Sequence, residues 1–277
     1  EFFQTGVELV GDDSPEADAE VIALAIESLR AAGVERFKIA MGHMGFLNGL
    51  LQEVLPERTE DQENLKQDLL NRDYVGYRGT IAGLKLEARQ QEQLEGILRL
   101  RGGKEIAEQA LKISSNPLAR SSIEHMGHVW EVLEAYGVSG HVMIDLTLLG
   151  DFSYYTGITF EGYAAELGSP VANGGRYDKL LKQFGRDVPA TGFALKTNRI
   201  LDGVQGTAME EPLPILVRYT AEYRQEGLAK AAKLRAEGLT VVTSLIREND
   251  QTDLVGVASG VAGSLLHKGY QEVITLK

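Results

Sequence analysis

The amino-acid sequence predicts an α+β protein built in two parts, and three observations carry that expectation. Apolar, strand-like segments open the chain and return after residue 138. Between them, residues 56–137 are rich in Asp, Glu, Gln, Lys and Arg with leucines at helical intervals, the pattern of an inserted or peripheral helical region. Beyond residue 212, alternating strand and helix signals describe a small α/β domain. The expected organisation is a large domain over 1–202, a linker over 203–211 and a small domain over 212–277.

Residues 2–10 alternate loosely and end at Gly11-Asp12-Asp13, a strand leaving through a turn. Ser14-Pro15-Glu16 opens a helix. Ser14 caps it, Pro15 suits its first position, and Glu16, Asp18 and Glu20 complement the positive end of its dipole. Val21, Leu24, Ala25 and Leu29 form its apolar face, and Gly33 stops it. Residues 37–41 form a short apolar strand that passes through Gly42-His43-Met44-Gly45 into a helix over 46–54. Leu65, Leu69, Leu84, Leu94, Leu98, Ile106 and Leu111 then mark several solvated helices. Residues 138–149 and 154–165 read as two strands across a tight turn, 171–177 as a Gly-rich strand, and 191–195 as small and apolar. Residues 202–211 look like a linker. The last part reads as a strand at 215–217, a helix over 221–236 and a strand over 239–245. A polar stretch at 247–250, a helix over 254–266 and a strand over 272–276 complete it.

Of the 277 residues, 28 are Lys or Arg and 40 are Asp or Glu, a net charge of -12. That balance argues against a generally basic nucleic-acid scaffold, while leaving room for a local basic patch. The chain has no cysteine, which excludes disulfides, thiolate catalysis, Cys-ligated zinc and iron–sulfur clusters. The same fact fits a reducing compartment, and a cytoplasmic location is expected. A 43% hydrophobic and 25% charged composition is that of a folded globular chain rather than a disordered one. No apolar run approaches the roughly 20 residues needed to span a bilayer. Glu1-Phe2-Phe3-Gln4 carries neither an initiator Met nor a signal-peptide pattern and reads as the middle of a strand. Further residues are therefore expected upstream.

Among candidate chemical groups, His125 and His128 share i,i+3 spacing that could place two metal ligands on one helix face. With only Glu124 and Glu131 nearby and no His-Glu-x-x-His, two surface histidines are the better reading, and no metal site is expected. The chain has no Gly-x-Ser-x-Gly, no P-loop, and no Gly-x-Gly-x-x-Gly after a strand. Arg101-Gly102-Gly103-Lys104 raises phosphate contact, but its place among polar helices favours a helix–helix turn. Two other segments carry more. In Tyr154-Tyr155-Thr156-Gly157, adjacent tyrosines on a strand would face opposite ways, so at most one would line a given pocket. In Asn173-Gly174-Gly175-Arg176-Tyr177-Asp178, the paired glycines let backbone approach a ligand while Arg176 and Asp178 project beside it. A Gly-bulged strand with a surface ion pair is the plainer alternative. Ahead of both stands Phe3-Gln4-x-x-x-Glu8-x-x-Gly11.

Those segments, in that order, resemble the histidyl-tRNA synthetase catalytic core and, more closely, the synthetase-like regulatory subunits of ATP phosphoribosyltransferase. The run from Phe3 to Gly11 is similar to the tail of class II motif 2. Tyr154-Tyr155-Thr156-Gly157 and Gly174-Gly175-Arg176-Tyr177-Asp178 are similar to the two histidine-specific motifs. Gly192-Phe193-Ala194-Leu195-Lys196-Thr197-Asn198-Arg199 is similar to motif 3. The likeness covers residues 1–202, whereas 212–277 only loosely resembles the synthetases' C-terminal domain. It implies a class II aminoacyl-tRNA synthetase-like, mainly antiparallel sheet with flanking helices and a helical insertion.

By that resemblance, Gln4 bonds the α-amino group of a bound histidine and Glu8 accepts from one imidazole N–H. Tyr155, with Tyr154 beside it, addresses the other ring nitrogen, and Arg176 and Arg199 are candidate additional pocket residues. The chemistry is sensible, because neutral imidazole offers one donor and one acceptor, which a carboxylate and a phenol together can read.

Two departures separate the relatives. Synthetases of this family carry Arg-Gly-Leu-Asp-Tyr-Tyr, whereas here Gly150-Asp151-Phe152-Ser153-Tyr154-Tyr155 puts glycine in the place of the activating arginine. No Lys or Arg occurs from Ser121 to Gly175, so no neighbouring cation is expected to substitute. Loss of one such stabilising group is worth roughly 2.7–4 kcal/mol in other enzymes. Where synthetases have Gly-Leu-Glu-Arg, this chain has Lys196-Thr197-Asn198-Arg199, and Lys196 crowds the space for adenine. The resemblance thus implies a non-catalytic regulatory subunit that binds L-histidine, uses no cofactor, and works with a separate catalytic subunit of ATP phosphoribosyltransferase in histidine biosynthesis. It further implies a homodimer within a hetero-oligomer, with no tRNA and no membrane as partner. The alternatives are a divergent or truncated histidyl-tRNA synthetase, or a paralogue that kept the fold but lost histidine binding.

Overall fold

The computed structural model describes residues 2–150, 154–165, 167–204, 213–246 and 270–277. The chain forms two compact units, Glu1–Gln205 and Gly206–Lys277.

The first unit is built on a seven-stranded sheet, comprising β1 (Gln4–Val10), β2 (Phe37–His43), β3 (Arg101–Gly102), β4 (Val142–Asp145), β5 (Ile158–Ala164), β6 (Ala172–Arg176) and β7 (Ala190–Lys196). Its order is β1-β7-β6-β5-β2-β4-β3, antiparallel throughout except for the β2–β4 pair. The mainly antiparallel sheet is the one the motifs implied. Helix α1 (Pro15–Ala31) starts as its sequence dictates, with the Ala17 N–H donating to Ser14 Oγ at 3.3 Å and Pro15 in the first turn. Its buried stripe is Val21, Ile22, Ala25, Ile26 and Leu29. Leu24 is 42% exposed, a correction to the expected face. At about 100° per residue it falls roughly 130° from the centre of that stripe.

The helices of the central region are α2 (Met44–Val54), α3 (Thr59–Leu70), α4 (Tyr74–Gly83), α5 (Ala88–Gly96), α6 (Glu105–Ile113) and α7 (Pro117–Ala135). They are less solvated than the composition predicts. Leu65, Leu69, Tyr77, Ile81, Leu94 and Ile106 enter the same core as the sheet. Helix α7 lies against α1 and α2, burying Ala119, Ile123, Met126, Val129 and Leu133, which are i, i+4 and i+3 neighbours on one helix face. Glu53 of α2 anchors its start by accepting from the backbone N–H groups of Ser115 and Asn116, each at 2.9 Å, and from Ser114 Oγ at 2.6 Å. Arg101-Gly102 is not a helix–helix turn: it forms β3, pairing with β4. The expected long strand over 138–149 shortens to β4, and the helix α8 (Thr197–Gly203) takes the first residue of the expected 203–211 linker.

The second unit contains β8 (Ile215–Tyr219), α9 (Arg224–Ala236), β9 (Val241–Leu245) and β10 (Glu272–Leu276). The strands are parallel in the order β10-β8-β9, and Ile215, Val217, Ala231 and Val241 form its core. The expected polar stretch at 247–250 and helix over 254–266 lie outside the described residues. Among the described residues no helix is long and apolar enough to cross a membrane.

Candidate functional site

Strand pairing brings the motif residues to one face of the sheet. In register, Glu8 lies opposite Gly192, Gly192 opposite Gly175, Gly175 opposite Thr159, and Thr159 opposite Gly42. Directly opposed residues point to the same face, so this row is a floor almost without side chains. Its bareness has a use. A Cβ at Gly192 would overlap the Glu8 carboxylate, and one at Gly175 would come within 2.9 Å of the Tyr155 ring.

On that floor sit Glu8, Tyr154, Tyr155 and Tyr177. The Tyr177 phenol donates to Glu8 Oε2. Tyr154 lies between the other two rings, its centroid 5.0 Å from Tyr155 and 5.6 Å from Tyr177. Burial, helped by the Glu8 charge, pushes the Tyr154 and Tyr177 phenols up, so both remain O–H donors at neutral pH. The Tyr177 bond engages one of the two Glu8 carboxylate oxygens. The expectation that the paired tyrosines face opposite ways is corrected: both precede β5, in the turn, where the two-residue alternation of a strand does not apply. Tyr177 belongs to the Gly-Gly-Arg-Tyr-Asp motif, and the sequence alone gives it no role. Its place two residues beyond Gly175 on the same face was the signal that could have found it.

The other named residues are placed differently. Gln4 is exposed at the start of β1, on the same face as Glu8 and opposite Lys196. Arg176 points to the opposite face and is buried. Its Nε donates to both Asp18 oxygens at 3.0 Å, while Nη1 reaches the Asp12 carbonyl at 3.1 Å and Asp178 at 3.2 Å. It is therefore not a pocket residue but the centre of a buried ion cluster, because it and Tyr177 are adjacent and alternate across the sheet. Asp18, expected to serve the helix dipole at the surface, is its partner. Burial pushes the Asp18 carboxyl up despite Arg176, and His125 Nε2 stands 3.4 Å away. His125 is thus not a plain surface histidine. His43, the cap of α2 through Nδ1 and the Gly45 N–H at 3.1 Å, is held down to about 3 by burial.

Gly150 adopts φ 72°, in the left-handed region, and a Cβ there would meet the Tyr155 ring at 2.8 Å. No arginine fits that backbone without rearrangement. The absence of a nearby cation, however, is corrected. Arg72 and Arg101 come from outside the cation-free stretch and line, with Gly150, a cavity of about 550 Å³ on the same sheet face. Lys196 and Arg199 line it too, and Arg199 Nη1 donates to the Pro170 carbonyl at 2.8 Å.

The antiparallel sheet, its flanking helices and this tyrosine–carboxylate floor define a class II synthetase-like protein. The family model described as histidyl-tRNA synthetase matches residues 1–200. A histidyl-tRNA synthetase from Nostoc sp. PCC 7120 shares the fold, with a TM-score of 0.77 at 20% identity, covering 94% of this chain and 65% of that one. A solved ATP phosphoribosyltransferase regulatory subunit/histidyl-tRNA synthetase from Bacillus halodurans gives 0.86 at 37% identity, covering 100% of this chain and 69% of that one. The ATP phosphoribosyltransferase regulatory subunit of Halalkalibacterium halodurans is 39% identical over 277 residues, 99% of this chain. The chain spans 66% of that relative's length. It belongs to the histidyl-tRNA synthetase family, in the branch of the ATP phosphoribosyltransferase regulatory subunits.

Proposed function

We propose that this chain is a non-catalytic, histidine-binding regulatory subunit that switches a separate ATP phosphoribosyltransferase catalytic subunit on and makes it sensitive to histidine. The supporting observation is the floor on which Tyr177 holds one oxygen of Glu8 beside the packed rings of Tyr154 and Tyr155. A carboxylate acceptor and a phenol on opposite sides of an imidazole read both of its nitrogens, and an isostere lacking either would leave a polar group unpaired. Gln4 lies on the same face for the amino group. Nothing in this set moves a proton to or from a reacting centre, and Gly150 itself supplies no cation for the activation of a carboxylate. The names of the relatives supply the complex: a regulatory subunit acts through a partner. Self-pairing, absence of tRNA binding and a role at the start of histidine biosynthesis belong to the same proposal.

Feedback in such a complex requires only that histidine favour the inactive arrangement. A tenfold preference per site corresponds to about 1.4 kcal/mol of coupling. The test mixes the chain with the catalytic subunit and follows phosphoribosyl-ATP against histidine concentration. Activation, and inhibition that disappears in Glu8→Gln and Tyr155→Phe, are expected. A catalytic subunit indifferent to the chain would refute the role. Because Arg72 and Arg101 do bring cations to the neighbouring cavity, a divergent synthetase is the second reading, and histidine-dependent exchange of pyrophosphate into ATP would establish it instead.

A further inference from the structure

A chain of polar contacts runs behind the tyrosine floor, from the buried ion cluster to the turn that carries the tyrosine pair. It starts where β6 ends. Tyr177 points to the floor, and its phenol holds Glu8. Arg176 points to the opposite face, with its side chain 4% exposed and the Asp18 side chain against it fully buried. Arg176 Nη1 donates to Asp178 Oδ1 at 3.2 Å, so this guanidinium, itself fixed by Asp18, orients the Asp178 carboxylate.

The other Asp178 oxygen faces the tyrosine turn. Thr156 Oγ1 donates to Asp178 Oδ2 at 3.1 Å and accepts from the Asp178 backbone N–H at 3.0 Å, so one hydroxyl is tied to one residue twice. The β-branch of threonine restricts its rotamer and keeps that hydroxyl aimed. The backbone is tied as well. The Thr156 N–H donates to the Arg176 carbonyl at 2.8 Å, and the Met44 N–H donates to the Gly157 carbonyl at 3.0 Å. A Cβ at Gly157 would come within 3.1 Å of the Arg176 side chain, so the turn lies directly on the arginine stem. All of these ties fall on the two residues that follow Tyr154 and Tyr155.

On the reading of the floor as a histidine site, we propose that Thr156 and Asp178 are positioning residues, which set the Tyr155 phenol against Glu8 at the separation an imidazole needs. A pocket that reads two ring nitrogens depends on the spacing of its two polar groups, because a hydrogen bond weakens steeply once it departs from about 3 Å and near-linear geometry. Glu8 comes from β1 and the tyrosine pair from the turn before β5, so that spacing is not set within either segment. Residues 176–178 touch both sides, Tyr177 reaching Glu8 on one face and Asp178 reaching Thr156 on the other. The Tyr155 and Tyr177 rings are buried in one apolar cluster with Ala190, so a displaced turn carries its ring out of register with the strand beside it. Neither Thr156 nor Asp178 touches the ligand in this arrangement. Both act through Tyr155.

The experiment is calorimetry with L-histidine on the whole chain. Thr156→Val removes the hydroxyl at nearly constant shape and should weaken binding about fivefold or more, whereas Thr156→Ser keeps it and should stay within about twofold of the unmodified chain. Asp178→Ala should match the valine variant, and combining the two should add little, because each removes the same tie. In a Tyr155→Phe background Thr156→Val should cost less than about twofold, since the group it aims is gone; a threonine that serves only the fold would cost the same in both backgrounds. Thermal unfolding of each variant reads the fold, and Asp178→Ala stands in should the valine variant not fold. Full histidine affinity in Thr156→Val, or equal losses in both Tyr155 backgrounds, would overturn the positioning role and leave the histidine reading intact. Where Tyr155→Phe binds too weakly to titrate, strictly additive losses from Thr156→Val and Asp178→Ala would overturn it equally. Absence of histidine binding by the unmodified chain would overturn both.

Discussion

Replacing Tyr177 by Phe removes one oxygen and leaves the rest of the site in place. The ring is buried and packs edge-on to Tyr154 at 5.6 Å, so Tyr177→Phe costs little packing. What disappears is the O–H donated to Glu8 Oε2. A hydrogen bond to a charged group is worth about 1.5–3 kcal/mol, and the exposure of Glu8 places this one at or below the lower end, about 1–1.5 kcal/mol. If histidine binds through Glu8, freeing the carboxylate to rotate away should lower affinity by roughly 5- to 12-fold, since 1.4 kcal/mol is a factor of ten. Because burial and the Glu8 charge push the phenol up, the effect should be flat from pH 6 to 8. The assay is a double-mutant cycle by calorimetry with Tyr177→Phe, Glu8→Gln and the pair. A coupling energy near 1 kcal/mol is expected. Wild-type histidine affinity in Tyr177→Phe, with strictly additive effects in the double variant, would show that Tyr177 does not position Glu8.

Three further outcomes follow from the geometry. Gly192→Ala should abolish histidine binding and lower stability by about 1–3 kcal/mol, measured by calorimetry and urea unfolding, because its methyl group has no space beside Glu8 and the β1 backbone. Glu53→Gln should cost about 1.5–3 kcal/mol, followed through Trp130, the only tryptophan. Burial works against the Glu53 charge, but its Ser114, Asn116, Ser115 and Gln93 donors outweigh it and hold the carboxyl below its ordinary 4.5. The stability it contributes is therefore complete above that value and lost as pH falls below it, and Glu53→Gln should flatten that limb. His43, held down by burial from 6.5 to about 3, must stay neutral in the folded chain. Stability should decline as pH falls from 6.5 toward 3, with His43 contributing up to about 1.4 kcal/mol per pH unit, and His43→Asn, which keeps a capping acceptor, should make that decline shallower in acid unfolding curves.

Local signals in the sequence located what depends on neighbours along the chain. The Ser14-Pro15 start of α1 and the strands around Gly174-Gly175 rest on short-range capping, turn and period rules, whereas Glu8 and the tyrosine motif were associated only through the family resemblance. Failures arose where partners are distant. Asp18 reads as a helix-dipole residue until Arg176 meets it across 158 residues. Arg101 reads as a turn until β3 finds β4, and Arg72 carries no signal at all, because what fixes it is Glu161, 89 residues away. The cation-free stretch was a true statement about order along the chain and a poor guide to which charges share a cavity.

The bond between Tyr177 and Glu8 joins residues 169 positions apart. Bringing such ends together is among the costliest loop closures in the unit, so the floor can be complete only once the intervening strands and helices have been assembled. Any molecule that bridges β1 to the tyrosine turn therefore reports on the whole unit rather than on one corner. By mass action it should raise the free energy of cooperative unfolding for residues 1–205 together, by about 2.7 kcal/mol at a hundredfold excess over its dissociation constant. Occupancy of the floor and integrity of the unit become a single equilibrium, and a damaged copy would lose its response to ligand and its fold together.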